Sequence, residues 1–331
     1  MKSAPSSLAR RLLLCAGAFA LSFGSLAAAP LKVAYSDWPG WTAFAIAQEK
    51  GWFKDAGVEV ELLWFEYGPS MEAFSAGKVD AVMVTNGDAL VTGATGTKNV
   101  MILVTDYSNG NDMVVAQPGV GSLKDLKGKK IGVEVGFVDH LLLLNGLKKA
   151  GLSESDVELV PTPTNQIPQV LASGQVDAVA GWQPNSGAAL KAVPGSKAIY
   201  TSADEPGLIY DMVVVTPGSL AGSRADWVKF VKVWDQIVAY LADPKTRADG
   251  IKIMAARAGV DPKDYADFMS GTQLLTLKQG APKLAATAPG FDSVLGSAKI
   301  ADDFNVKNGV YKEAQDVPSY IDATLMAEAV K

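Results

Sequence analysis

The segment Phe74-Ser75-Ala76-Gly77-Lys78-Val79-Asp80-Ala81-Val82 returns 97 residues later as Leu171-Ala172-Ser173-Gly174-Gln175-Val176-Asp177-Ala178-Val179. The offset nearly holds elsewhere: Lys32-Val33-Ala34 against Lys130-Ile131-Gly132 at 98, Val58-Glu59 against Val157-Glu158 at 99, and Asp112-Met113-Val114-Val115 against Asp211-Met212-Val213-Val214 at 99. Four correspondences in the same order predict two lobes built to one plan. Each lobe reads as strand (31–36; 130–135), helix (41–51; 138–150), strand (58–65; 156–161), helix (69–76; 166–173) and strand (79–84; 176–180). The helices carry apolar residues at helical spacing and the strands are short and β-branched. Such alternation predicts parallel sheets covered on both faces.

Between the lobes lie Leu103–Tyr107 with Met113–Ala116, and later Tyr210–Thr216, extended stretches that end in Pro118-Gly119 and Pro217-Gly218. Two crossovers between two lobes make a hinge. The expected organisation is residues 30–112 and 216–331 in lobe 1, and 113–215 in lobe 2. After Pro217 the pattern turns helical: Trp227–Leu241, Pro244–Ala258, Pro262–Ser270, Leu274–Gln279 and Pro318–Val330. Pro244, Pro262 and Pro318 suit first-turn positions. This tail is expected to pack on lobe 1, with Trp227 and Trp234 on one face in the core. Gly77 and Gly174 follow short helices and read as left-handed caps. Asp80 and Asp177 read as turn and strand-entry residues of the scaffold.

The first 29 residues stand apart. Lys2, Arg10 and Arg11 precede the apolar stretch Leu12–Phe23, and Ala27-Ala28-Ala29 offers small residues before Pro30. That is the pattern of a secretory signal peptide, too short for a bilayer span, which takes about 18 apolar residues. Cys15 follows Leu12-Leu13-Leu14 rather than a small residue, so a lipoprotein is not expected. As this is the single cysteine, the mature chain has no disulfide, and its stability rests on core burial. Loss of the three basic residues leaves 27 against 35 acidic ones, a formal charge of −8 in place of −5. An acidic chain does not suit nucleic acid.

The inventory also argues against catalysis. The one histidine, His140, sits among Leu141–Leu144 at a helix start and reads as structural, so Cys-His and Ser-His chemistry lack support. Zinc and iron lack ligands, no calcium-loop spacing is present, and Gly-rich phosphate loops are absent, so no metal or cofactor is expected.

The candidate site is read from the carboxyl ends of the strands, where open α/β sheets bind ligands. Asp37 and Trp38 lie in Ser36-Asp37-Trp38-Pro39-Gly40-Trp41, a turn that Pro and Gly enforce, with Trp41 behind it as packing. Glu66 ends the second strand, beside Tyr67, and Asn86 and Asp88 end the third. The other half supplies Glu134, Trp182 and Asp211. No Lys, Arg or His stands among them, and beyond residue 29 the only arginines are Arg224, Arg247 and Arg257. Carboxylates accept paired hydrogen bonds from planar N–H donors, and indole faces attract cations by ~0.5–2 kcal/mol. The set is therefore arranged for a small cation. A helix N-terminus can bind an anion without basic side chains, and Asp88 could serve as a helix N-cap, so an anionic ligand stays open.

Leu31-Lys32-Val33-Ala34-Tyr35-Ser36-Asp37-Trp38-Pro39, Ala47-Gln48-Glu49-Lys50-Gly51-Trp52-Phe53 and Phe74-Ser75-Ala76-Gly77-Lys78-Val79-Asp80-Ala81-Val82, after a signal peptide, resemble the nitrate/sulfonate/taurine type of periplasmic substrate-binding protein of ABC transporters. The resemblance implies an α/β, two-lobed, type II periplasmic-binding-protein fold with mixed sheets and a two-strand hinge. It further implies a monomer, with no enzyme activity, that closes on a small molecule and hands it to a membrane permease. Ser36–Trp41 and Val84-Thr85-Asn86-Gly87-Asp88-Ala89 resemble the branch associated with urea-carboxylase-type systems, many of which handle guanidine. That branch suggests guanidinium or a urea-like compound. Sulfonate, taurine, nitrate, cyanate or urea is the alternative ligand, and an enzyme of thiamine or menaquinone precursor synthesis on the same fold is the alternative class.

Overall fold

The computed structural model describes Met1 and residues 29–331, so the expected signal peptide lies almost wholly outside the described residues. One sheet holds β1 (Leu31–Tyr35), β2 (Val60–Trp64), β3 (Ala81–Thr85), β4 (Val100–Ser108), β10 (Tyr210–Val215) and β11 (Thr272–Leu274). The other holds β5 (Met113–Ala116), β6 (Lys130–Val133), β7 (Glu158–Pro161), β8 (Ala178–Gly181) and β9 (Lys197–Thr201). Their orders are β11-β4-β10-β3-β1-β2 and β7-β6-β8-β5-β9. Without the edge strand β11 the two orders are equivalent: a parallel trio, then the first strand after a crossover inserted antiparallel, then the strand that precedes the next crossover. This is the type II periplasmic-binding-protein arrangement. The sheets are mixed, not purely parallel.

The repeat is visible in single bonds. Asp80 Oδ2 accepts from Lys32 N at 2.9 Å, and Asp177 Oδ2 accepts from Lys130 N at the same distance. Each aspartate ties the third strand's entry to the first strand. β10 corrects the expected boundary: Tyr210–Val215, assigned to lobe 2, pairs with β3 and β4 of the first sheet. The chain therefore crosses at 109–112 and again at 202–209. Ser108 Oγ and Ser202 Oγ lie 2.6 Å apart between these crossings, and Ser202 Oγ accepts from Gly110 N at 2.7 Å. Gly110 has φ +124°, a conformation open to glycine and costly for other residues.

The helices are α1 (Pro39–Thr42), α2 (Phe44–Lys50), α3 (Trp52–Asp55), α4 (Tyr67–Ser75), α5 (Asn86–Ala94), α6 (Val138–Lys149), α7 (Ile167–Ala172), α8 (Asn185–Ala192), α9 (Pro217–Gly222), α10 (Arg224–Ala242), α11 (Arg247–Ala258), α12 (Pro262–Phe268), α13 (Leu277–Ala285), α14 (Val294–Lys307) and α15 (Ala323–Ala329). The expected helix 41–51 is two pieces, α1 and α2, with Pro39 in the first turn. Leu274 ends β11; the helix placed there starts at Leu277, because Thr276 and Gln279 form a capping box. α14 was not expected, although Ser293 caps it through Gly296 N.

The tail joins the first sheet's layers. Phe44 stacks on Phe230 at 5.1 Å and on Trp234 at 5.0 Å, so α10 covers α2 with a fully buried face that includes Trp227. Each such ring contributes on the order of 1.5–3 kcal/mol by burial. α14 also reaches the second lobe, where Phe304 meets the edge of His140 at 5.4 Å. His140 is 2% exposed and burial pushes it down to about 4, so it stays neutral and structural.

Candidate ligand-binding site

β1 ends at Tyr35, and the chain turns through Asp37 and Trp38 into α1. Trp38 Nε1 donates to Asp106 Oδ1 on β4 at 2.9 Å, and the indole is 2% exposed. Gly40 is needed for close approach rather than for an unusual dihedral: a Cβ there would overlap Asp106 Oδ2. The turn is thereby locked to the far side of the sheet.

Four aromatic rings meet here. Trp38, Trp41 and Tyr67 come from the first lobe, with Trp41 stacked on Tyr67 at 5.5 Å. Trp182, just beyond β8, stands edge-on to them at 6.3, 6.3 and 5.9 Å respectively. With Thr85, Asp112, Val138, Ile209 and Asp211 they line a small, nearly filled cavity between the lobes. A roomier groove runs between α6 and α14, lined by Leu144, Ile300, Phe304 and exposed polar residues. It has no buried polar atom wanting a partner, whereas the smaller cavity has three.

Asp112 precedes β5 and Asp211 is the second residue of β10, so the two repeat-related aspartates enter the cavity from the two inserted strands. Each is nearly fully buried and each has an Oδ2 without a partner. Asp106 lies opposite Asp211 across the β4–β10 ladder, so the two carboxyls raise one another's cost of ionisation. Burial pushes Asp106 up to about 6 despite donors from Trp38 and Thr105. Burial pushes Asp112 up to about 7, with the charges of Asp106 and Asp88 adding to it. Asp211 and Asp139 are raised as well, first by burial and then by neighbouring carboxylates. No Lys, Arg or His is close enough to lower any of them.

Asp88 is not the cap of its helix. Thr85 caps α5, accepting from Asp88 N at 3.2 Å, and leaves the Asp88 carboxylate free to cross the cleft. Its Oδ2 accepts from Tyr67 Oη at 2.6 Å and from Val138 N of the other lobe at 3.3 Å. Burial pushes Asp88 up to about 7. It fills the N-terminus of α6, the place where an anion would otherwise find backbone donors.

Of the other expected residues, Asn86 bonds Ser297 Oγ and Tyr210 N, holding α14 and β10 behind the wall. Asp37, Glu66 and Glu134 are half-buried and form a separate acidic group outside the cavity lining. Asp37 accepts from Trp64 Nε1 at 2.6 Å and is pushed up to about 6, by burial first and also by the Glu66 charge. Glu134 accepts from Thr164 Oγ1 at 2.9 Å and is likewise raised by burial, with Glu66 adding to it. The cavity thus gathers Trp38, Trp182 and Asp211 from the expected set and adds Trp41, Tyr67, Asp112 and, behind Trp38, Asp106. Trp41, read as packing, forms part of the wall. Asp112 could have been found, because the repeat pairs it with Asp211.

The sequence pattern described as NMT1/THI5 like matches residues 38–248. A Brucella abortus protein described as a binding protein is 34% identical over 177 residues, a match that covers 53% of this chain and 54% of that one. The chain thus spans about half the length of the curated relatives it matches. The periplasmic aliphatic sulphonate binding protein of Escherichia coli superposes with a TM-score of 0.74 at 18% identity, over 90% of this chain and 99% of that one. The periplasmic nitrate-binding protein of Synechocystis gives 0.72 at 12%, over 91% and 88%. At such identities the two solved structures speak for the fold. With most of its length inside the matched pattern, the chain belongs to the NMT1/THI5-like family.

Proposed function

We propose that this protein is the periplasmic solute-binding component of an ABC importer, and that it takes a small planar, nitrogen-rich cation of the guanidinium type. The observation that carries the ligand class is the cavity wall. Asp112 and Asp211 each present an unpaired carboxylate oxygen between aromatic faces, and no basic side chain lines the cavity among the described residues. Planar N–H donors satisfy carboxylates in pairs, and the aromatic faces attract the charge. An anion would meet two buried aspartates in the wall and find the Val138 N–H of the α6 N-terminus occupied by Asp88. The sulfonate and nitrate named for the two solved relatives therefore form the weaker reading for this site.

Capture works by lobe closure. Trp182 and Val138 belong to the second lobe, and their contacts with the first exist only when the lobes meet. A ligand that touches both walls biases the equilibrium toward the closed form by its differential affinity. No reaction is required, and the buried neutral His140 offers no catalytic base. Delivery to a permease, function as a monomer and export through the signal peptide complete the reading. The test is thermal unfolding of the mature protein with guanidinium, urea, taurine and nitrate in parallel, followed by analysis of the ligand for product. Guanidinium should raise Tm and be recovered unchanged. A shift with taurine or nitrate and none with guanidinium would reject the cation, and turnover would reject the binding protein.

A further inference from the structure

Of the buried side-chain polar atoms without a partner among the described residues, three belong to the cavity wall: Asp112 Oδ2, Asp211 Oδ2 and Trp41 Nε1. The first two are acceptors. The third is an indole N–H, which can only donate. Trp41 is 2% exposed, stacked on Tyr67 and flanked by Trp38 and Trp182, so its ring is held on every side but the cavity. Asp106 Oδ1 accepts from Trp38 and Asp88 Oδ2 from Tyr67 and Val138, and the two free acceptors of the wall, on Asp112 and Asp211, make no bond to the Trp41 N–H. A buried donor left unmade is costly, and proteins rarely keep one without a use.

Guanidinium has donors on every edge and no acceptor, so it would satisfy the two aspartates and leave Trp41 as it is. We infer that the ligand is a guanidinium or amidinium cation conjugated to one hydrogen-bond acceptor, an acyl- or carbamoyl-substituted guanidine, whose carbonyl oxygen takes the Trp41 N–H while its N–H edges meet Asp112 and Asp211. This rests on the cation reading above and narrows it. The carbonyl stays coplanar with the guanidine through conjugation, so the ligand keeps a flat shape suited to stacking on aromatic rings. Trp41 is then a specificity residue: it tells an acylated guanidine from guanidinium itself.

The test is calorimetry at pH 7 with guanidinium, carbamoylguanidine and urea, on the wild type and on Trp41→Phe, which keeps an aromatic ring and removes the N–H. The wild type should bind carbamoylguanidine at least tenfold tighter than guanidinium, and in Trp41→Phe, whatever the change in either affinity, the ratio of the two should fall to within about threefold. Urea has the acceptor without the charge and should bind weakest. Equal or tighter binding of guanidinium in the wild type overturns the inference and leaves the cation reading standing. So does equal weakening of both cations in Trp41→Phe, which would make Trp41 packing alone. Urea binding tightest, or neither cation binding at all, removes the cation reading and this inference together.

Discussion

Of the aromatic rings that line the cavity, the first lobe brings Trp38, Trp41 and Tyr67 and the second brings Trp182, although both sheets share one strand order. What the lobes share is scaffold and acid: the paired strand-entry aspartates Asp80 and Asp177, and the paired cavity aspartates Asp112 and Asp211. What they do not share is the aromatic surface. The shared part describes how each lobe folds, and the unshared part assigns their roles, a three-ring platform in one lobe and a single ring that closes on it from the other. Under the proposed function, ligand settles on the first lobe and Trp182 completes the cage.

The largest expected effect falls on the platform. Trp38→Ala removes a buried ring and strips Asp106 of its indole donor, so chemical denaturation should show a loss of about 3–5 kcal/mol. A loss under 1 kcal/mol would mean that the platform is not part of the first lobe's core. Next come the paired acids. Asp112→Asn and Asp211→Asn should each weaken cation binding by ~1–3 kcal/mol in calorimetry. Each should also raise the Tm of the ligand-free protein at pH 8, because a buried carboxylate that repels its neighbours is gone. An unequal outcome, with one variant binding like wild type, would break the symmetry of the pair.

Trp182→Ala should cost ~0.5–2 kcal/mol of cation affinity, the scale of one ring facing a charge, and less stability than Trp38→Ala. A larger stability loss than Trp38→Ala would reverse the assignment of platform and lid. The smallest effects belong to the scaffold. Asp80→Ala and Asp177→Ala should each cost about 0.5–1.5 kcal/mol of stability, the worth of one hydrogen bond, with ligand affinity unchanged. A difference above that range between them would show that the two lobes do not use the motif alike.

The repeat made most of this fold legible, since a period-two or helical pattern is local and a recurring motif can be matched by eye. The inserted strand was harder. Tyr210–Val215 follows the second crossover and by position alone could close either sheet; only its pairing with β3 and β4 decides. At the site, Trp38 and Trp182 were readable as aromatic residues at strand ends. Asp106 was not, because it sits inside a mostly buried strand and its partner Trp38 lies 68 residues away. Asp88 carried a signal for a helix cap, yet Thr85 takes that duty and frees the carboxylate for the other lobe. Local sequence reports which groups are present, while long-range pairing decides what each one faces.

Protonation links these acids to the central claim. Asp37 and Asp106 titrate up near 6 and Asp88 and Asp112 near 7, against 3.8 for a free side chain. Raised values mean that the folded protein holds more protons than the unfolded chain across this window. The part of ligand-free stability that these acids contribute is therefore fully present below about pH 4 and is lost as pH rises through 6 to 7. A cation needs the ionised form, so its affinity runs the other way.

Calorimetry of guanidinium binding at pH 5 and pH 8, in buffers of differing ionisation heat, tests this most directly. The account predicts tighter binding at pH 8, with protons released to the buffer at pH 5. Binding that weakens as pH rises, or a site that takes sulfonate or nitrate while ignoring guanidinium, would contradict it.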